Sequence, residues 1–124
     1  MDTIKITIKY LREQHACKEG LEWYQAQQYP MEGVDIHNVI RDLQRDQHIR
    51  WVRWLCTHAL VSAKQRLQDD RTIVMAAVQY NGRALQHASQ RLQDDVDIVM
   101  AAVQQDGRAL QYASPRLLLE LHNS

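Results

Sequence analysis

Apolar residues take three different spacings along the chain. Ile4, Ile6 and Ile8 alternate with Lys5, Thr7 and Lys9, the period-two signature of a short strand over residues 4–8. No second alternating run offers it a partner, so the better reading is an extended lead into the first helix. Tyr10–Ala16 and Lys18–Gln28 then read as helical pieces. They end at Tyr29-Pro30-Met31-Glu32-Gly33, where proline cannot continue a helix and glycine gives a turn. Beyond it Ile36, Val39, Ile40 and Leu43 fall at i, i+3, i+4 and i+7, one apolar stripe of a helix that Asp35 is placed to N-cap. The next helix, about Gln47 to Ala63, has Ile49, Val52, Cys56 and Ala59 as its core stripe. Arg50, Trp51, Trp54 and His58 project to its far side, at about 160° to 260° from Val52.

The third spacing is a repeat. Residues 66–89 read RLQDDRTIVMAAVQYNGRALQHAS and residues 91–114 read RLQDDVDIVMAAVQQDGRALQYAS, a period of 25 with 19 of 24 positions identical. A worn copy precedes them at Ala59-Leu60-Val61-Ser62-Ala63, and a third phase breaks off after Pro115 and Arg116. Within each copy an acidic pair, Asp69-Asp70 or Asp94-Asp95, stands where one residue N-caps the following helix and the other meets the positive end of its dipole. Gly82 and Gly107 stand one step past that helix, where a left-handed residue would close it. Each copy thus predicts two short helices, in the second unit roughly Arg83–Ser89 and Val96–Gln105. Ile98 to Val103 are apolar almost all round, and such a helix must be covered by neighbours on several sides. A period of this length marks stacked helical repeats.

The pattern Ala-Leu-Gln-x-Ala-Ser-x-x-Leu-x-x-Asp-x-x-Ile-Val-x-x-Ala-Val-x-x-x-Gly, carried from Ala59 to Leu118, resembles a helical repeat family catalogued only as a domain of unknown function. The resemblance implies tandem helical pairs and no activity. At the other end, Ile8-Lys9-Tyr10-Leu11-Arg12 followed by Ala16-Cys17-x-x-Gly20-Leu21-Glu22-Trp23, and the later Arg50-Trp51-Val52-Arg53-Trp54-Leu55, resemble the opening module of many small phage and bacterial proteins. The expected fold is all-α: an N-terminal helical module over 1–58, then a short α-solenoid over 59–124 with units at about 59–82, 83–107 and a partial 108–124.

Composition narrows the function. Lys plus Arg equals Asp plus Glu at 15 each, and the two halves balance separately, so bulk charge points neither to nucleic acid nor to a membrane. Met1–Lys9 has no apolar core of a signal peptide, and no run approaches the roughly 20 apolar residues of a membrane span. A cytoplasmic protein is expected, with Cys17 and Cys56 as reduced thiols.

The candidate chemistry is thin. His15, Cys17, Cys56 and His58 contain four zinc-ligand side chains, but Cys56 and His58 point about 200° apart on one helix. Neither thiol has a base or a cationic surround prepared for it. The acidic pairs suit capping better than catalysis, since an active site is seldom duplicated every 25 residues. No metal, no cofactor and no enzymatic activity are expected. Arg41, Arg45, Arg50 and Arg53 with Trp51 and Trp54 mix basic and aromatic groups as single-strand binders do, though Asp42 and Asp46 offset two of the charges.

What remains is binding. The sequence predicts a non-enzymatic protein-binding module whose contacts are Arg50, Trp51, Trp54 and His58, with Arg83 and Arg108 on the repeats. The phage-like resemblance gives its concrete form, an anti-CRISPR-like inhibitor from a phage or mobile element that sterically blocks a host defence complex. The alternatives are a nucleic-acid binder using the Arg41–Trp54 face and a structural module. The structural module would self-associate as a homodimer through the leucine-rich end, Leu117 to Leu121.

Overall fold

The structure, a computed structural model, describes residues 4–122. Apart from one pair of two-residue strands the fold is helical. The chain divides into two compact units between Trp51 and Val52, a point inside the helix Ile49–Ser62.

In the first unit, Thr7 N-caps α1 (Ile8–Glu13) by accepting from Tyr10 N–H at 3.0 Å. The Cys17 thiol caps α2 (Lys18–Ala26) by accepting from Gly20 N–H at 3.4 Å. The expected lead-in is in fact a paired strand. β1 (Lys5–Ile6) runs antiparallel to β2 (Val34–Asp35), with Ile6 opposite Val34, and Ile36 N–H closes on Ile4 C=O at 2.8 Å. A two-residue partner carries no alternation, which is why the sequence hides it. Gly33 makes the pairing possible: its φ is +97°, and a Cβ there would press on the Thr7 side chain and the Ile6 carbonyl. Asp35 caps α3 (Ile36–Arg45) from the end of β2, accepting from His37 N–H at 2.8 Å. The stripe Ile36, Val39, Ile40 and Leu43 is buried as its spacing predicts, together with Ile6, Leu11 and Tyr24. The Tyr24 hydroxyl donates to the Ile6 carbonyl at 2.7 Å and ties α2 to β1.

The second unit begins within α4 (Ile49–Ser62), where Val52, Leu55, Cys56, Ala59 and Leu60 are buried. Ile49, expected in the core stripe, is exposed at the helix start. Then come α5 (Lys64–Leu67), α6 (Arg71–Tyr80), a 3-10 segment (Gly82–His87) and α7 (Gln90–Gln93). α8 (Val96–Gln105), a second 3-10 segment (Gly107–Tyr112) and α9 (Pro115–His122) complete it. α6 and α8 pack on each other, as do the two 3-10 segments. The segment expected as a helix over Arg83–Ser89 is thus a tighter 3-10 turn. Gly82 and Gly107 are not left-handed; α6 and α8 end at extended Asn81 and Asp106, whose side chains accept from Arg83 N–H and Arg108 N–H and open the 3-10 segments. Among the described residues no helix is long and apolar enough to cross a membrane.

Candidate interaction surface

The residues expected to bind a partner fall into separate groups. In the first unit Arg50 is exposed. Trp51 is half-buried and stacks on His48 with ring centroids 4.1 Å apart; Trp23 meets His48 edge-on at 6.1 Å and Tyr29 at 6.4 Å. Trp51 is therefore one member of a ring cluster. That cluster is pinned by charge: Trp23 Nε1–H donates to Asp46 at 2.8 Å, and Arg45 donates to Asp46, Asp42 and Gln27. The Arg45 guanidinium, then the indole N–H, hold the Asp46 carboxyl down to about 2. Burial, then the hydrogen bond to Asp42, pushes the Tyr29 phenol up. In the second unit Trp54 and His58 lie together, rings 4.2 Å apart, with His58 Nδ1 2.9 Å from the Trp54 carbonyl.

The basic face of the nucleic-acid alternative is largely spoken for. Arg41 lies 3.5 Å from Asp42, Arg45 is held as above, and Arg53 has its Nε buried without a hydrogen-bond partner among the described residues. On the repeats Arg83 and Arg108 are both exposed, and Arg108 grips Asp106 through two contacts of 3.1 Å.

The acidic pairs divide their labour differently from the expectation. Asp70 and Asp95 N-cap α6 and α8. Asp69 and Asp94 reach forward instead: Asp69 accepts from Ser89 at 2.6 Å and Arg91 at 2.9 Å, and Asp94 accepts from Ser114 and from Arg116 at 2.9 Å. Each also presents its backbone carbonyl to the same arginine, at 3.1 Å and 3.2 Å. One staple is thus built twice. Its serine and arginine partners hold both carboxyls below the usual range. The Cys17 thiol is exposed and serves as a cap, whereas burial, helped by the Asp70 charge, pushes the Cys56 thiol up to about 12. Among the described residues no three His, Cys, Asp or Glu side chains gather around a point that could hold a metal ion.

The surface the sequence did not single out comes from comparing the copies. Leu60, Leu85 and Leu110 occupy one position of the 25-residue period; the first two are 0% exposed and the third is 37% exposed. Val78 is fully buried where Val103 is half-exposed, and Gly82 is buried where Gly107 is exposed. The cause is α8. Its Ala102 carbonyl sits so close over Gly82 that a Cβ there would collide with it, and Gln105 accepts from Gly82 N–H. A Cβ on Gly107 would meet no atom of the described residues within 4 Å. The face that receives α8 in the first copy is therefore open in the second. It is also more apolar, because Val96, 46% exposed, replaces Arg71, which in the first copy spans to Asp95 at 3.1 Å and Asp97 at 3.3 Å. Val96, Met100 and Val103 lie at i, i+4 and i+7 on α8, and Leu110 continues the patch. The leucine-rich end contributes less: Leu117 is core, Leu118 half-buried and Leu119 exposed, and the Leu121 side chain lies outside the described residues.

Two family models match the chain, each over about half of its 124 residues. The YdhT N-terminal domain matches residues 1–63, and the domain of unknown function DUF4116 matches 56–89 and 70–118. No curated protein and no solved structure matches it.

Proposed function

We propose that this chain, which belongs to the YdhT N-terminal domain and DUF4116 families, is a non-enzymatic protein-binding module built as a short stack of 25-residue helical units. One observation carries the reading: Val96, Met100 and Leu110 are exposed and Val103 is half-buried, while Val78 and Leu85, one period before Val103 and Leu110, are fully buried. A contiguous apolar face flanked by ion pairs is the signature of a protein contact. The DUF4116 model matches the chain twice, over 56–89 and 70–118, which supports a repeated unit.

The nucleic-acid reading is disfavoured by its own residues, since Arg41 and Arg45 are each within 3.5 Å of an aspartate. The narrower expectation, a phage or mobile-element inhibitor of a host defence complex, is one case within the protein-binding class.

Affinity capture with the tagged chain from bacterial lysate tests the class. Proteins retained after nuclease treatment, in fixed proportion to the bait, are the expected result, and a defence complex among them would give the narrower form. A catch that vanishes with nuclease would replace this reading with the nucleic-acid one, for which binding should fall steeply with salt.

A further inference from the structure

We propose that the open stripe of α8 is the contact face of a two-fold homodimer, in which α8 of one chain packs antiparallel on α8 of a second copy. The proposal rests on the protein-binding reading above and names the partner for that surface.

The argument begins with the interface already present inside the molecule. α8 packs on α6 and on the 3-10 segment after it, where Val78, Gly82 and Leu85 are buried, and the same positions one period on are Val103, Gly107 and Leu110. The open face thus continues an established helix-on-helix interface by one step, and a helix is what fits it. Head-to-tail addition of a second copy is blocked. The face of α6 that would have to dock is already met by α4 residues of the same unit: Thr57 donates to the Ala77 carbonyl at 3.2 Å, the carbonyl equivalent to that of Ala102 over Gly82. A second copy can therefore approach only face to face, which closes the assembly at two.

Charge permits that approach. The acidic groups on α8 and at its end have partners within their own chain: Asp97 with Arg71 and Asp106 with Arg108. A two-fold axis brings like residues together, so an apolar centre with neutralised flanks is the arrangement that avoids repulsion. The formal net charge of the whole chain is +0. Antiparallel crossing near Met100 sets Val96 of one chain opposite Val103 of the other, and the space over Gly107 admits a side chain of the second copy. Four partly exposed side chains, Val96, Met100, Val103 and Leu110, make a short patch, whereas specific interfaces bury about 1,200–2,000 Å² in total. The dimer should accordingly be weak, with dissociation in the micromolar range.

Sedimentation velocity of the full chain, from low micromolar to several hundred micromolar, tests this. The expected result is a monomer–dimer equilibrium. Met100→Glu should weaken it more than about tenfold, the effect of an interface anchor, whereas Val61→Glu, at an exposed position of α4, should leave it unchanged. Gly107→Trp is the second variant. A Cβ there would meet no described atom within 4 Å, so the fold should persist by circular dichroism while the dimer is lost. A monomer at every concentration would overturn the proposal and leave the capture experiment to judge the broader reading. A dimer untouched by Met100→Glu and Gly107→Trp, or removed only by Leu119→Glu, would also overturn it and move the seam elsewhere.

Discussion

Gly82 and Gly107 are the same residue of the same repeat with opposite surroundings, and they separate packing from conformation at a single position. Neither needs a left-handed backbone, so a methyl group is judged by space alone. At Gly82 it would drive into the Ala102 backbone carbonyl and displace the Gln105 side chain that accepts from Gly82 N–H. Gly82→Ala should cost about 2–3 kcal/mol, as overpacking against backbone does. Gly107→Ala should lie within about 0.5 kcal/mol of wild type, or gain slightly from a less flexible unfolded chain. Urea denaturation of the two variants checks this, and equal losses would show that α8 does not sit on Gly82. Asp46 makes a different kind of prediction. Its carboxyl is held down to about 2, below the unfolded value of about 3.9. Its contribution is therefore complete above about pH 4 and is lost as pH falls toward about 2. Denaturation midpoints of wild type and Asp46→Asn should differ at neutral pH and converge in that acid window.

Elements show which physical signals a sequence displays and which it conceals. The stripe of α3 and its Asp35 cap were legible because a one-sided helix writes a regular pattern and a cap is a local hydrogen bond. α8 was legible to its ends, Val96 and Gln105, for the same reasons. The pairing of β1 with β2 was not, because two residues carry no period. The 3-10 segments read as α-helix because alanine and leucine favour both; what selects the tighter turn is the cap by Asn81 or Asp106. The acidic pairs were half legible. Asp70 and Asp95 cap, but the reach of Asp69 and Asp94 to a serine and an arginine 20 and 22 residues on is tertiary and has no local mark. The two roles predict different losses. Asp95→Ala should cost about 1 kcal/mol by uncapping α8, a loss that persists at high salt, on top of a salt-sensitive part from its exposed ion pair with Arg71. Asp94→Ala removes an exposed ion pair and should show a smaller effect that fades as salt rises. Denaturation at low and high ionic strength would distinguish them, and a loss at Asp95 that vanishes at high salt would contradict the capping role. The candidate site was the least legible part. Trp51 and Trp54 drew notice by residue type, yet each has a ring neighbour on its own helix or at its edge. Val103 and Leu110 of the open stripe are identical to buried Val78 and Leu85 one period earlier, so only their surroundings distinguish them.

At the scale of the molecule, the stack of helical units proposed above would have a stability that is a sum of unit and neighbour terms. The exposure series Leu60, Leu85, Leu110, at 0%, 0% and 37%, says that one neighbour term is unmade. Supplying it should therefore stabilise the chain. A further copy of residues 90–114 inserted after Ser114 would place a new helix against Met100, Val103, Gly107 and Leu110, with a glutamine equivalent to Gln105 set to accept from Gly107 N–H. The extended chain should unfold at a higher denaturant concentration and with a steeper dependence, since more surface is buried on folding. Burying Leu110 alone should add about 1 kcal/mol or less, given that 37% of it is exposed and a whole leucine is worth roughly 2 kcal/mol. The glycines should change character with it: Gly107→Ala, neutral in the present chain, should become as costly as Gly82→Ala. The weak dimer should disappear, because the inserted helix takes the face that the second copy would use. If the insertion lowers stability and Gly107→Ala stays neutral, then the open stripe is not a stacking face, and its match to the buried stripe reflects duplication of sequence without duplication of packing.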